Sequence, residues 1–170
     1  MSSSCIVFSH GQDGEPWGAK IVAMAAVARR HGLQVESVDY RGMADPTVRV
    51  ARLLEVCTAL PVAPVLVGSS LGGHVAAAVS RQVAARGLFL LAPAFYMPGY
   101  EQYTPVPASC PITIVHGWND DVVPVDNSIR FARQYRSTLH VLDSDHRLTA
   151  SIGEICELLS DFLKRLTVGG

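Results

Sequence analysis

A chain of 170 residues fits one domain with a core large enough to need no staples. Hydrophobic residues make up 49% and charged ones 17%, a balance suited to a sheet covered on both faces. The net charge of −1 excludes an electrostatic hold on nucleic acid or an anionic membrane, and no apolar run nears the ~20 residues of a membrane span.

Cys5–Phe8 is a short apolar run ending in Ser9-His10-Gly11, which predicts a strand and then a glycine-rich loop. An alanine-rich helix follows from Pro16 or Trp17 to about His31, with Gly32 just past its end. Gln34–Asp39 alternates and forms a second strand, closed by Tyr40-Arg41-Gly42. Asp45-Pro46 opens a helix to about Leu60, with Val48, Leu53, Leu54 and Val56 on its inner side. Strand Val65–Val67, a turn at Ser70 and a helix from Leu71 to about Arg86 come next. Gly87 introduces a fourth strand, Leu88–Leu91.

Residues 92–111, with five prolines and three tyrosines, read as a surface loop or flap. Ile112–Val115 is the fifth strand, followed after Pro124 by a helix from about Asp126 to Tyr135. Thr138–Leu142 is the last strand and Ile152–Leu166 the last helix. Strands alternating with helices imply a three-layer α/β/α, doubly wound fold around a mainly parallel six-stranded sheet. Without a repeat or linker, residues 1–170 are expected to form one domain, with 92–111 as a flap within it.

Met1–Phe8 lacks the basic segment and long apolar core of a signal peptide. Cys5, Cys57, Cys110 and Cys156 are scattered without a CxxC pair. Reduced thiols in a cytoplasmic protein are therefore expected, with no metal site. Gly14–Lys20 does not match a phosphate loop and no GxGxxG occurs, so no cofactor is expected.

Chemistry concentrates in three loops. Gly68-Ser69-Ser70-Leu71-Gly72 matches Gly-x-Ser-x-Gly between a strand and a small-residue helix, which lifts the Ser70 hydroxyl above the sheet edge. Ser69 lacks glycine at both flanking second positions. A serine hydroxyl needs a base at neutral pH, and His146, just past the sixth strand, is the candidate. A carboxylate must hold that imidazole, and Asp120 and Asp121 both follow the fifth strand. In a doubly wound sheet such loops share one crevice.

In Gly68–Gly72, in His116-Gly117-Trp118-Asn119-Asp120-Asp121-Val122-Val123-Pro124 and in Asp145-His146-Arg147, the chain resembles the α/β-hydrolase family over almost its whole length. The middle stretch looks like the family's His-Gly-x-x-Asp-x-x-Val-Pro segment, whose acid falls on Asp120. The resemblance implies backbone oxyanion donors at Leu71 and in the loop after the first strand, at Gln12. The family's fuller His-Gly-Gly-Gly form is absent, and Gln12 stands where a glycine would. The chain is short for the family, and is similar to its small, capless bacterial-type hydrolases.

Other residues have plainer readings. His31 suits a helix C-terminus, His140 lies in a strand, His74 sits behind the nucleophile, and His10 and His116 shape their loops. Asp145 should point away from His146. Trp118, Trp17 and Met97 sit in crevice-facing loops and are candidates for touching substrate. The expected function is a serine hydrolase acting on a small-molecule ester or thioester through an acyl-enzyme on Ser70. A non-catalytic binding or regulatory protein on the same scaffold remains open, as does an acyltransferase or peptidase using the same residues. Either a monomer or a homodimer is compatible with the composition.

Overall fold

The computed structural model describes residues 4–168. Among them run, in order, β1 (Cys5–Ser9), α1 (Ala19–Arg30), β2 (Gln34–Val38), α2 (Pro46–Thr58), β3 (Val65–Ser69) and α3 (Leu71–Ser80). Then follow β4 (Gly87–Leu91), β5 (Ile112–Gly117), α4 (Val125–Tyr135), β6 (Thr138–Leu142) and α5 (Ile152–Val168). The six strands form one sheet in the order β2-β1-β3-β4-β5-β6, and every pairing is parallel. The sheet is thus wholly parallel, more uniform than the sequence alone implied.

Why the central strands read as unbroken apolar runs is clear from their alternation. Val7, Leu66, Leu88 and Leu90 join one core with Leu53 and Cys57 of α2, Val75 and Val79 of α3 and Phe131 of α4. Their neighbours Ile6, Phe8, Val65, Val67, Phe89 and Leu91 join a second core with Met24 and Ala28 of α1 and Ile155, Leu159 and Phe162 of α5. A strand with helices on both faces needs apolar side chains at every position. The edge strands β2 and β6 are covered less and carry the polar residues.

Several boundaries differ from the sequence expectation. α1 begins at Ala19, because Glu15–Gly18 closes a turn in which Gly18 N–H donates to Glu15 O at 3.4 Å. α2 starts as expected: Asp45 Oδ1 accepts from Thr47 N–H at 2.8 Å and Pro46 takes the first position. Val48, expected on its inner side, is instead 48% exposed. α3 stops at Ser80, well before Arg86, where turns carrying Ala84 at φ 48° lead back to the sheet. β3 and β5 each run two residues beyond the expected end, to Ser69 and Gly117.

Residues 92–111 contain one 3-10 turn, Glu101–Tyr103, and otherwise follow an irregular path. Among the described residues no helix is long and apolar enough to cross a membrane. The carboxyl ends of β1, β3, β5 and β6 lie at one edge of the sheet, and their loops carry the residues considered next.

Candidate active site

The turn from β3 to α3 forces Ser70 into φ 52°, ψ −120°, a conformation that costs a non-glycine residue about 1–3 kcal/mol. Surrounding hydrogen bonds hold it there. Ser70 N–H donates to Leu91 O at 2.9 Å, and Ser70 O accepts from Gly73 N–H and Ala94 N–H, each at 3.0 Å. The flanking glycines are sterically required. A Cβ at Gly68 would lie 2.6 Å from Gly73 Cα, and one at Gly72 would overlap the Ser9 carbonyl.

β5 and β6 are joined just past their ends. Trp118 N–H donates to Leu142 O at 2.9 Å, Asn119 N–H to Ser144 O at 3.0 Å, and Asn119 Nδ2 to Asp143 Oδ1 at 2.8 Å. A side chain at Gly117 would run into the Ser144 carbonyl, so the two loops meet backbone to backbone. That contact brings Asp120 and His146 together across 26 residues of chain.

His146 Nδ1 lies 2.7 Å from Asp120 Oδ2, and its Nε2 lies 3.0 Å from Ser70 Oγ. A carboxylate only accepts, so Nδ1 carries the proton and Nε2 of the neutral ring is free to accept from the Ser70 hydroxyl. The Asp120 side chain is fully buried and both its oxygens are occupied. Oδ1 accepts from Val122 N–H at 2.9 Å and Val123 N–H at 2.8 Å. Burial alone would raise the Asp120 pKa, but the bonds from His146 and those two amides outweigh it and hold it below the usual carboxylate value.

The structure brings Ser70, Asp120 and His146 into one hydrogen-bonded chain. Asp121 is exposed and outside it, and Asp145 turns away, its Oδ1 accepting from Leu148 N–H at 3.0 Å. Gly11 abuts the serine, since a Cβ there would meet Ser70 Cβ at 3.4 Å. Among the described residues neither Leu71 N–H nor Gln12 N–H has a hydrogen-bond acceptor. Trp118 and Trp17 are exposed, the latter beneath the Arg29 guanidinium at 5.9 Å, and Met97 is half-buried. A hollow lined by Leu33, Val65, Arg86 and Leu163 lies at the opposite, amino end of the strands and contains none of the three.

Two contacts escaped the sequence reading. His116 is fully buried with Nε2 2.9 Å from Val123 O and 3.0 Å from Asp120 Oδ2, while Nδ1 accepts from Ser128 Oγ at 2.7 Å. Nε2 therefore carries its proton, and burial lowers its pKa and keeps the ring neutral. His116 thus braces the same carboxylate oxygen that holds His146. Lys20 Nζ donates to Arg147 O at 2.6 Å, tying α1 to the residue after His146. The only sequence signal for His116 is its place four residues before Asp120; Lys20 has none.

A family model described as the alpha/beta hydrolase family matches residues 6–158. A protein from Xanthomonas campestris pv. campestris assigned to the alpha/beta hydrolase superfamily is 33% identical, with 97% of this chain and 99% of that one covered and a TM-score of 0.89. Est1E from Butyrivibrio proteoclasticus shares the fold at 18% identity and TM-score 0.86, over 98% of this chain and 89% of that one. Mouse alpha/beta hydrolase domain-containing protein 10 does so at 20% identity and TM-score 0.75, over 95% and 90%. A curated relative, the mitochondrial palmitoyl-protein thioesterase ABHD10 of Bos taurus, is 32% identical over 71 residues; the match spans 38% of this chain and 23% of that protein.

Proposed function

Because the chain belongs to the alpha/beta hydrolase family, we propose that it is a serine hydrolase that cleaves a carboxylic ester or thioester through an acyl-enzyme on Ser70. The observation that carries this reading is the Ser70 Oγ–His146 Nε2 distance of 3.0 Å, with Nδ1 of the same ring 2.7 Å from a fully buried carboxylate. In the first step Ser70 Oγ attacks the substrate carbonyl carbon as its proton passes to His146 Nε2. Asp120 stabilises the imidazolium and keeps the ring oriented. The carbonyl oxygen becomes an oxyanion that the free N–H groups of Leu71 and Gln12 are available to bind.

Collapse of that intermediate breaks the bond to the alcohol or thiol, which leaves with the proton from His146. Water, deprotonated by His146, then attacks the acyl-enzyme, and the carboxylic acid departs as Ser70 recovers its proton. The thioester part of the reading draws on ABHD10, a palmitoyl-protein thioesterase by name. The ester part draws on Est1E, whose structure has been solved with ferulic acid bound. Exposed Trp118, at 58%, is a candidate for contact with an apolar acyl or alcohol group.

The test is a series of p-nitrophenyl esters and acyl thioesters of increasing chain length, together with labelling by a fluorophosphonate probe. Hydrolysis and labelling should both vanish in Ser70→Ala. Turnover surviving in that variant would refute the proposal.

A further inference from the structure

The largest side chain in the fully buried set is not apolar: Arg49, on α2, is 1% exposed. Its guanidinium bonds only to carbonyl groups. Nε donates to Met43 O at 2.7 Å, Nη1 to His10 O at 3.1 Å and Gly11 O at 3.2 Å, and Nη2 to Gln12 O at 3.3 Å. The Tyr40 ring packs against it at 5.0 Å, and among the described residues no carboxylate pairs with it. Taking a cation out of water without a counter-ion carries a large desolvation penalty, which a norleucine-like apolar residue would avoid. Three of its four acceptors are consecutive carbonyls of the loop that follows β1.

In a trans peptide the C=O of one residue and the N–H of the next point in opposite directions. With the Gly11 carbonyl turned toward Arg49, the Gln12 N–H is turned away from it. The Gly11 carbonyl also accepts from Gly14 N–H at 3.2 Å and from His10 Nδ1 at 2.7 Å. His10 Nδ1 is the protonated nitrogen, because Nε2 accepts from Tyr40 N–H at 2.9 Å. Three donors on one carbonyl, one of them a guanidinium, fix that peptide plane and polarise it, which strengthens the N–H at its other end. Gly11 itself abuts Ser70, and the Gln12 N–H has no acceptor among the described residues.

We infer that Arg49 is a positioning residue: from beneath the loop it orients and polarises the Gly11–Gln12 peptide so that the Gln12 N–H can receive the oxyanion formed on Ser70. The inference rests on the serine-hydrolase reading above. It assigns a buried residue of α2, 21 positions before Ser70, to stabilisation of the transition state without contact with the substrate.

Arg49→Lys and Arg49→Met are compared with Leu53→Ala, a core truncation one turn further along α2 whose apolar side chain makes no hydrogen bond to the loop after β1. The readouts are kcat and KM on one p-nitrophenyl ester, and the Ki of a boronic acid whose tetrahedral adduct with Ser70 uses the same donors. Arg49→Lys keeps the charge but not the fork, so kcat should fall about 10–100-fold with KM within about twofold, since loss of one donor costs at most about 10²–10³. The boronate Ki should rise by the same factor, while Leu53→Ala keeps both values at any temperature where it is folded. Unchanged kcat and Ki in Arg49→Lys would overturn the inference, as would an equal loss in Leu53→Ala. Should neither Arg49 variant fold, His10→Gln, which removes the other side-chain donor from the Gly11 carbonyl, decides: wild-type kcat and Ki there overturn it. Absence of Ser70-dependent turnover in the wild type would remove both proposals, whereas intact Ser70-dependent turnover in Arg49→Lys removes this one alone.

Discussion

Replacing Asp120 by asparagine exchanges one oxygen of the relay for an amide nitrogen, and the surrounding hydrogen bonds dictate which one. Oδ1 receives Val122 N–H and Val123 N–H, whereas Oδ2 receives His146 Nδ1–H and only a share of the His116 Nε2–H, which also reaches Val123 O, so the asparagine oxygen stays at Oδ1. The amide nitrogen then occupies the Oδ2 position, 2.7 Å from His146 Nδ1. It can only donate, which moves the imidazole proton to Nε2 and leaves no lone pair facing Ser70 Oγ. Flipping the amide would restore the tautomer but turn a donor toward the Val122 N–H and Val123 N–H, whose bonds are exposed and half-buried respectively, at about 1–3 kcal/mol each. Adding the lost ionic stabilisation of the imidazolium, about 1.5–3 kcal/mol, gives a barrier increase of about 5 kcal/mol. That corresponds to kcat lower by nearly four powers of ten. The assay is saturating p-nitrophenyl ester hydrolysis with thermal unfolding in parallel, since two retained amide bonds should limit the loss of Tm to about 4–8 °C. Asp121→Asn, on an exposed side chain, should stay within about twofold of wild type. An Asp120→Asn enzyme with kcat within tenfold of wild type would refute the reasoning.

Two further outcomes are expected. Ser70→Gly and Ser70→Ala should both lose activity by about 10⁵–10⁶. The glycine variant should nonetheless unfold about 2–4 °C higher than the alanine one, because φ 52°, ψ −120° strains any residue with a Cβ; equal or reversed Tm values would refute the strain. Burial lowers the pKa of His10, His74 and His116 in the folded state, while in the unfolded chain each takes up a proton near pH 6.5. Their contribution is therefore complete above about pH 6.5 and is lost as pH falls toward the lowered folded values. The unfolding free energy should drop by up to about 4 kcal/mol per pH unit in that window. Urea midpoints measured from pH 7.5 to 5.5 should fall, and a flat profile would refute it.

Much of this was legible in the chain because the relevant signals are local. Buried parallel strands need apolar residues on both faces, so Val65–Val67 and Leu88–Leu91 stand out without any partner being known. Gly68 and Gly72 mark a turn whose tightness excludes side chains, which is why Ser70 could be singled out. What stayed hidden depends on distant contacts. α3 ends early because Ala84 and Ala85 turn to rejoin the sheet, and nothing in the alanine-rich run from Ala76 to Ala85 marks that point. Val48 faces outward because the phase of α2 is set by Arg49 and Leu53, and an arginine does not announce itself as an inward residue. The Arg49 and Lys20 contacts span 37–39 and 127 positions, beyond the reach of any local pattern.

The stretch between Met97 and Pro107 has a consequence for how such a molecule can diversify. It leaves the sheet beside Ser70, through the Ala94 amide, and returns to the body where the Ala108 N–H donates to Ser80 Oγ at 2.8 Å. From Met97 to Pro107 its hydrogen bonds are to itself and to Tyr96, with Thr104 Oγ1 accepting from Tyr96 N–H, and none reaches Asp120 or His146 among the described residues. Residues there can be exchanged, added or deleted at little thermodynamic expense, since lengthening a surface excursion costs only logarithmically in chain entropy. Selection or a designer can therefore reshape this surface while leaving the hydrogen-bonded chain of Ser70, His146 and Asp120 undisturbed.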